Sequence, residues 1–269
     1  MKRFLFIPLF FLLVCPVFAG QTTGTIHVFV ALCDNENQAI VKVRPALGRG
    51  DDPDHNLYWG AYYGVRNYFT RSNEWELLAT MKEPRKGVIL ERCVFKHRDS
   101  EVRMVADAYK GSEIKTAIGD FLDSAAGTTT HTISVYQEKP GLLWSSREKL
   151  FDMPAHGSAD LLIYVGHNGL MDFDLESYPE GPPGNPREAA ILACSSYFYF
   201  REAIEKAGAD PILWTTGLMA PEAYVVEAAM QGWMTGESDE VLHERVAQAY
   251  MKFQHCGIGP ARRLFRVGF

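Results

Sequence analysis

The stretch DLLIYVGHNG, residues 160–169, and the stretch AAILACSS, residues 189–196, decide the fold. Each begins with a short apolar run and ends in small or polar residues, which is typical of a strand buried on both faces. Such runs separated by helices predict a parallel sheet that helices cover on both sides. Ligand sites in these sheets lie at the carboxyl ends of the strands. The residues that follow the two strands are therefore the first candidates for function.

Further strands and helices are predicted on either side of these two runs. Strands are predicted over residues 25–33, 87–95, 102–109 and 211–216, the second and third as a pair. Helices are predicted over residues 57–69, 111–123, 196–207, 221–233 and 240–254. This alternation predicts an α/β fold, a three-layer α/β/α sandwich with a mostly parallel sheet.

The N-terminus is typical of a secretory signal peptide. Lys2 and Arg3 precede an apolar run too short to span a bilayer, and Ala19 suits cleavage. We predict a signal peptide over residues 1–19, a single domain over residues 20–269, and a secreted or periplasmic location. Cys15 leaves a lipid anchor as an alternative, although the residue before it is not small. No stable membrane insertion is expected after signal cleavage.

The charge balance and the missing motifs exclude several function classes. Loss of Lys2 and Arg3 leaves 25 basic against 33 acidic residues, a net charge of about −8, which disfavours nucleic acid as a partner. The sequence has no GxSxG elbow, HExxH motif, P-loop or dinucleotide fingerprint. We therefore predict no cofactor and no metal.

Two residues at the strand ends suit nucleophilic catalysis. If the two strands are neighbours and parallel, His167 and Cys194 emerge side by side, as a base and a thiol nucleophile. The main-chain N–H groups of Gly169 and Cys194 are the candidate donors to the oxyanion. Taken singly, Cys194 also suits a small core residue or half of a disulfide, and His167 a loop histidine bonded to backbone.

Four cysteines follow the predicted cleavage point: Cys33, Cys93, Cys194 and Cys256. Their even number permits two disulfides, or one disulfide and two free thiols. A catalytic Cys194 must stay unpaired, and we expect no disulfide that involves Cys33.

The residues LLIYVGHNG and AAILACSS resemble the histidine and cysteine strands of caspase-like cysteine peptidases, which include caspases, metacaspases, gingipains and CHAT-type peptidases. The resemblance covers mainly residues 160–254. It implies a caspase-like fold and an exported cysteine peptidase that acts on a peptide or protein substrate, with Cys194 as nucleophile and His167 as base or ion-pair partner. The family usually has Gly directly after this His, whereas here Asn168 intervenes. That departure favours the alternative, a catalytically inactive secreted binding or scaffold protein on the same fold.

The resemblance also implies a specificity pocket. In the family, this pocket is built from two segments. One is the loop after the first strand, and the other follows the strand that comes after the cysteine. Here these are the loop with Asp51, Asp52 and Asp54 and the segment with Leu218 and Met219. Carboxylates beside an apolar floor suit a long cationic side chain, so cleavage after Arg or Lys is expected. The alternative is a solvated acidic turn that points away from the site.

Overall fold

The computed structural model describes residues 23–139, 146–184 and 186–269. The predicted signal peptide and the alternative of a lipid anchor at Cys15 fall outside these residues. The strands are β1 (Thr23–Ala31), β2 (Trp75–Arg85), β3 (Ile89–His97), β4 (Glu101–Tyr109), β5 (Thr130–Lys139), β6 (Ser146–His156), β7 (Leu161–Val165), β8 (Glu188–Leu192), β9 (Asp210–Thr215) and β10 (Phe265–Arg266). The helices are α1 (Val65–Thr70), α2 (Ile114–Ala126), α3 (Ser196–Ala207), α4 (Ala223–Thr235), α5 (Asp239–Gln254) and α6 (Ile258–Leu264).

Eight strands form one mixed sheet, in the order β10-β9-β8-β7-β1-β4-β3-β2. The central strands β4, β1, β7, β8 and β9 run parallel, while β2, β3 and β10 join antiparallel at the two edges. The predicted sandwich with a mostly parallel sheet is confirmed, and so is the adjacency of β7 and β8. The remaining strands, β5 and β6, form a separate antiparallel hairpin.

Helices cover both faces of the sheet. Alternate residues of β7 point to opposite sides, and every one of them is buried. The first face carries α1, α4, α5 and α6, and its core includes Ile163 and Leu192. The second face carries α2 and α3, and its core includes Tyr164 and Ile191. Hairpin β5–β6 covers the antiparallel part of the second face through a smaller apolar cluster. No helix of the described residues is long and apolar enough to cross a membrane.

Two features depart from the sequence-based expectations. The helix predicted over residues 57–69 is wrong in its first half, because residues 57–64 form turns and α1 begins only at Val65. A Cβ at Gly64 would lie 2.5 Å from the backbone of Trp59, so the chain folds back on itself more tightly there than a helix permits. The sequence analysis did not predict β2, α6 or β10, which are short or largely exposed, nor the two strands of hairpin β5–β6, which lie outside the main sheet.

A chain of buried polar groups lies between the second face and hairpin β5–β6. Asp107 receives two hydrogen bonds of 2.6 Å from Arg92 and one of 3.1 Å from Nε2 of His27. Nδ1 of His27 accepts the main-chain N–H of His156 at 2.9 Å, and Nδ1 of His156 contacts Ser124 at 3.2 Å. Each buried group thus has a partner, as a buried polar group requires.

The pKa values of these buried polar groups follow from their burial and from the positive charge of Arg92. Burial lowers the pKa of His27, and burial together with the neighbouring His27 lowers the pKa of His156 to about 3. Burial alone would raise the pKa of Asp107, but the charge of Arg92 and its hydrogen bonds hold that pKa well below its usual range. The two histidines are therefore neutral and the aspartate ionised at neutral pH.

We expect His156 to make the fold sensitive to acid. Below pH 6.5 the unfolded chain protonates this residue, whereas the folded chain does so only near pH 3. The free energy of unfolding should therefore decrease as pH falls from 6.5 to 3, by up to about 1.4 kcal/mol per pH unit from this residue. His156→Asn should flatten that dependence, since Asn does not titrate and tolerates the φ of 52° at this position.

Urea unfolding at a series of pH values measures the effect. His131→Asn is the matched control. The ring of His131 packs edge-on against that of His156, with 4.8 Å between the ring centroids, but His131 is exposed. A dependence as steep in His156→Asn as in the wild type would contradict the assignment.

Candidate functional site

The pairing of β7 with β8 sets the height of the two candidate catalytic residues. The register pairs Leu161 with Glu188 and Val165 with Leu192. His167 and Cys194 each lie two residues beyond the end of their strand, and the side chain of Asn168 joins the histidine loop to the carbonyl oxygen of Cys194 at 2.6 Å. The structure therefore brings these two residues to the same edge, as the sequence predicts.

A carboxylate orients the imidazole of His167. Nε2 lies 2.6 Å from Oδ2 of Asp172, just past the one-turn 3-10 helix Gly169–Met171. The same carboxylate oxygen accepts the N–H of Ala39 at 3.3 Å, and the hydroxyl of Tyr164 donates to the carbonyl oxygen of His167 at 2.8 Å. Because Asp172 accepts from Nε2, it favours the tautomer whose Nδ1 is an unprotonated base.

The thiol of Cys194 contacts the main chain of Met219. Sγ accepts the N–H of Met219 at 3.4 Å and donates to its carbonyl oxygen at 3.6 Å. Among the described residues, no hydrogen bond joins Sγ to the imidazole of His167. This arrangement suits a neutral thiol, because a thiolate would keep the N–H contact but face the carbonyl oxygen unfavourably.

The chain turns sharply on either side of the site. Gly166 has a φ of 148°, and a Cβ there would lie 2.8 Å from the carbonyl oxygen of Ala31 at the end of β1. Ser195 follows the thiol with a φ of 51°, and its N–H donates to the carbonyl oxygen of Gly217 at 2.8 Å. A non-glycine residue in this conformation carries strain that the surrounding contacts must hold. Cys194 therefore lies on a constrained strand-to-helix turn that starts α3.

The amide of Gly169, one predicted oxyanion donor, is already engaged. It donates to the carbonyl oxygen of His167 at 3.1 Å. It can serve a substrate oxyanion only after this bond opens.

The acidic loop already has basic partners of its own. Asp51 lies 3.4 Å from Arg49, and Asp52 lies 3.0 Å from His55. Asp54 lies 2.7 Å from Arg66, whose hydrogen bond and charge lower the pKa of this carboxyl. A cationic substrate side chain would therefore compete with groups that are already present. In the other predicted part of the pocket, Met219 is buried against Cys194 and Leu218 is 74% exposed.

All four cysteines of the described chain are free thiols. Cys33 and Cys93 are fully buried, and burial raises their pKa values to about 11 and about 12. Cys194 and Cys256 are partly exposed. The structure thus agrees with an unpaired Cys194 and with the expectation of no disulfide at Cys33.

Three buried residues elsewhere meet a simple distance criterion for a metal site. Ligand atoms of His27, Asp107 and His156 lie within 4.8 Å of one another. However, Nδ1 of His27 accepts an N–H, so the ring proton lies on Nε2 and is donated to Asp107. Arg92 also occupies both oxygens of that carboxylate. A cation would have to replace a proton and displace a guanidinium, so we interpret this cluster as structural.

No family model matches the chain, and neither the curated proteins nor the solved structures contain a match. The site must therefore be interpreted from its own geometry.

Sequence reasoning left two participants of the site without a role. Nothing in the spacing of Asp172 predicts that a 3-10 turn returns its carboxylate to His167. Asn168 was read only as a departure from the family pattern, yet its side chain donates to the carbonyl oxygen of Cys194 at 2.6 Å. The position of an acidic residue five places after the candidate histidine is a signal that could have suggested Asp172 as its partner.

We predict a graded alkylation pattern for the native protein. Without reductant, iodoacetamide should label Cys194 and Cys256 and spare Cys33 and Cys93, because only the first two reach solvent. Peptide mass spectrometry after brief labelling measures this, and labelling in urea should reach all four. Recovery of Cys194 in a disulfide would contradict the structure.

Proposed function

We propose that this protein is an exported cysteine peptidase of the caspase-like type, in which Cys194 is the nucleophile and His167 the base. The parallel pairing of β7 with β8 carries the proposal, since His167 follows one of these neighbouring strands and Cys194 the other at the carboxyl edge. The hydrogen bond from His167 to Asp172 supplies the third member that such sites use to orient the base.

The reaction would use these groups in sequence. Nδ1 of His167 takes the proton from Sγ of Cys194, and the thiolate attacks the carbonyl carbon of the peptide bond. The tetrahedral intermediate collapses as His167 returns the proton to the leaving nitrogen, which leaves a thioester on Cys194. Water then attacks the thioester carbonyl while His167 accepts its proton. The C–S bond breaks, the acyl group leaves as a carboxylic acid, and His167 returns the proton to Sγ of Cys194.

Activation in this scheme requires a change in the contacts of the thiol. The N–H of Met219 already donates to Sγ and would stabilise the thiolate. The carbonyl oxygen of Met219 instead holds the thiol proton, so this contact has to give way before His167 takes it. Catalytic hydrogen bonds are often long before substrate binds, so the missing bond between Sγ and His167 is compatible with this role.

The same contact favours the second candidate, an inactive binding or scaffold protein with the same fold. A thiol whose hydrogen-bond partner among the described residues is the main chain of Met219 is equally what a structural cysteine shows. The two candidates differ in the reactivity of Cys194, which can be measured.

The first test compares variants on a fluorogenic peptide library. Cys194→Ala should abolish cleavage, and His167→Gln should lower kcat by about 100-fold or more, because each removes a reacting group. Asp172→Asn should lower kcat less, since it disturbs only the tautomer and orientation of His167. Cys256→Ala is the matched control, because it removes the other partly exposed thiol and should leave cleavage unchanged.

Cleavage that survives Cys194→Ala would contradict the proposal. Absence of cleavage by the wild type, together with alkylation of Cys194 no faster than that of Cys256, would support the scaffold protein instead.

Cleavage after Arg or Lys is the specificity we propose for this site. The carboxylates of Asp51, Asp52 and Asp54 would receive the cationic head after exchange with their present partners, and Leu218 and Met219 would contact the stem. Replacing all three aspartates by Asn should reduce the preference for a basic residue before the cut. A library profile that favours acidic or apolar residues at that position, or a basic preference unchanged in the triple variant, would show that the loop is not the pocket.

A further inference from the structure

Asn168 completes the sheet next to the candidate nucleophile. At the carboxyl edge, the N–H of Gly166 donates to the carbonyl oxygen of Leu192 at 3.2 Å. Two residues further along both chains, the side-chain Nδ2 of Asn168 donates to the carbonyl oxygen of Cys194 at 2.6 Å. Because Gly166 turns the chain out of strand geometry, a side chain supplies the contact that a main-chain N–H would make in a longer strand. The main chain of Cys194 is thereby tied to the loop of His167.

A second buried asparagine shows what a purely structural version of this contact looks like. Asn56 binds Cys33, two residues past the end of β1, with Nδ2 donating to its carbonyl oxygen at 2.8 Å and Oδ1 accepting its N–H at 3.1 Å. Both ends of that amide are used. Asn168 is equally buried, yet its Oδ1 has no hydrogen-bond partner among the described residues.

An unpartnered buried acceptor destabilises a fold. Asn168 therefore differs from Asn56 in a way that stability alone does not explain. What its side chain does achieve is to hold Cys194 from the main-chain side, while the N–H of Met219 holds Sγ.

We propose that Asn168 is a positioning residue that keeps Cys194 aligned with His167 for attack. The inference rests on the proposed function and deepens it. Asn168 is fully buried, so it acts through the main chain of Cys194 and does not contact the peptide. Loss of its donor lets the end of β8 move relative to the histidine loop, and small displacements of a nucleophile have large effects on rate. The residue that departs from the family pattern thus supports catalysis.

The test uses two variants of the full chain. Asn168→Asp keeps the shape but replaces the Nδ2 donor by an oxygen, and Asn168→Ala removes the whole amide. Both should lower the alkylation rate of Cys194 and kcat by about tenfold or more, with KM changed by less than about twofold. In Asn168→Asp the deficit relative to wild type should shrink as pH falls, because a protonated carboxyl again donates to the carbonyl oxygen of Cys194.

Two controls separate positioning from general damage. Asn67→Asp makes the same substitution where Nδ2 donates to the carbonyl oxygen of Gly60 at 3.2 Å, and should leave both readouts unchanged. The alkylation rate of Cys256 within each variant reports whether the fold has loosened. If Asn168→Ala does not fold, the near-isosteric Asn168→Asp decides.

Unchanged alkylation of Cys194 and unchanged kcat in a folded variant would overturn the inference. A raised KM with normal kcat would also overturn it, because that result indicates a contact with substrate. If the wild type cleaves no peptide, the proposed function fails, and the alkylation rates and their pH dependence still decide whether Asn168 controls the thiol.

Discussion

The pairing of β7 with β8 is the contact on which the rest of the carboxyl edge depends. Each strand has five residues, and nine of these ten are buried, so both faces of the pair are fixed by packing. Since side chains alternate along a strand, a slip of one residue would exchange every side chain between the two faces. The register within the two strands is therefore strongly specified.

The same alternation decides which helices can contribute to the site. Ala190 and Leu192 belong to the first face, and Cys194 packs against that cluster, whereas Ile191 and Ala193 belong to the second face. The thiol consequently points toward the segment that leads into α4, where Met219 contacts it. The constraint that positions the thiol also selects its neighbours.

The fold was predictable to the extent that it depends on buried apolar runs. Residues 160–166 and 189–194 were predictable as strands, because a strand buried on both faces has a continuous run of apolar residues in the sequence. Trp75–Arg85 left no such pattern, because an edge strand with mostly exposed residues needs only a few apolar side chains. The side-chain contacts at the site were harder to predict than the strands. The contact of His167 with Asp172 depends on the path of a loop. The contact of Asn168 with Cys194 depends on where the hydrogen bonding between β7 and β8 ends. Neither is encoded as a periodic pattern.

The shortest strand has a consequence for the molecule as a whole. β10 comprises only Phe265 and Arg266, but it pairs with β9, whose residues after Asp210 are all buried. Beyond it, Gly268 accepts a hydrogen bond from Trp214 and donates one to Pro211. An unprotected strand edge is a template for other chains. Residues 265–268 therefore cover an edge of β9 that would otherwise be open to pairing with another chain.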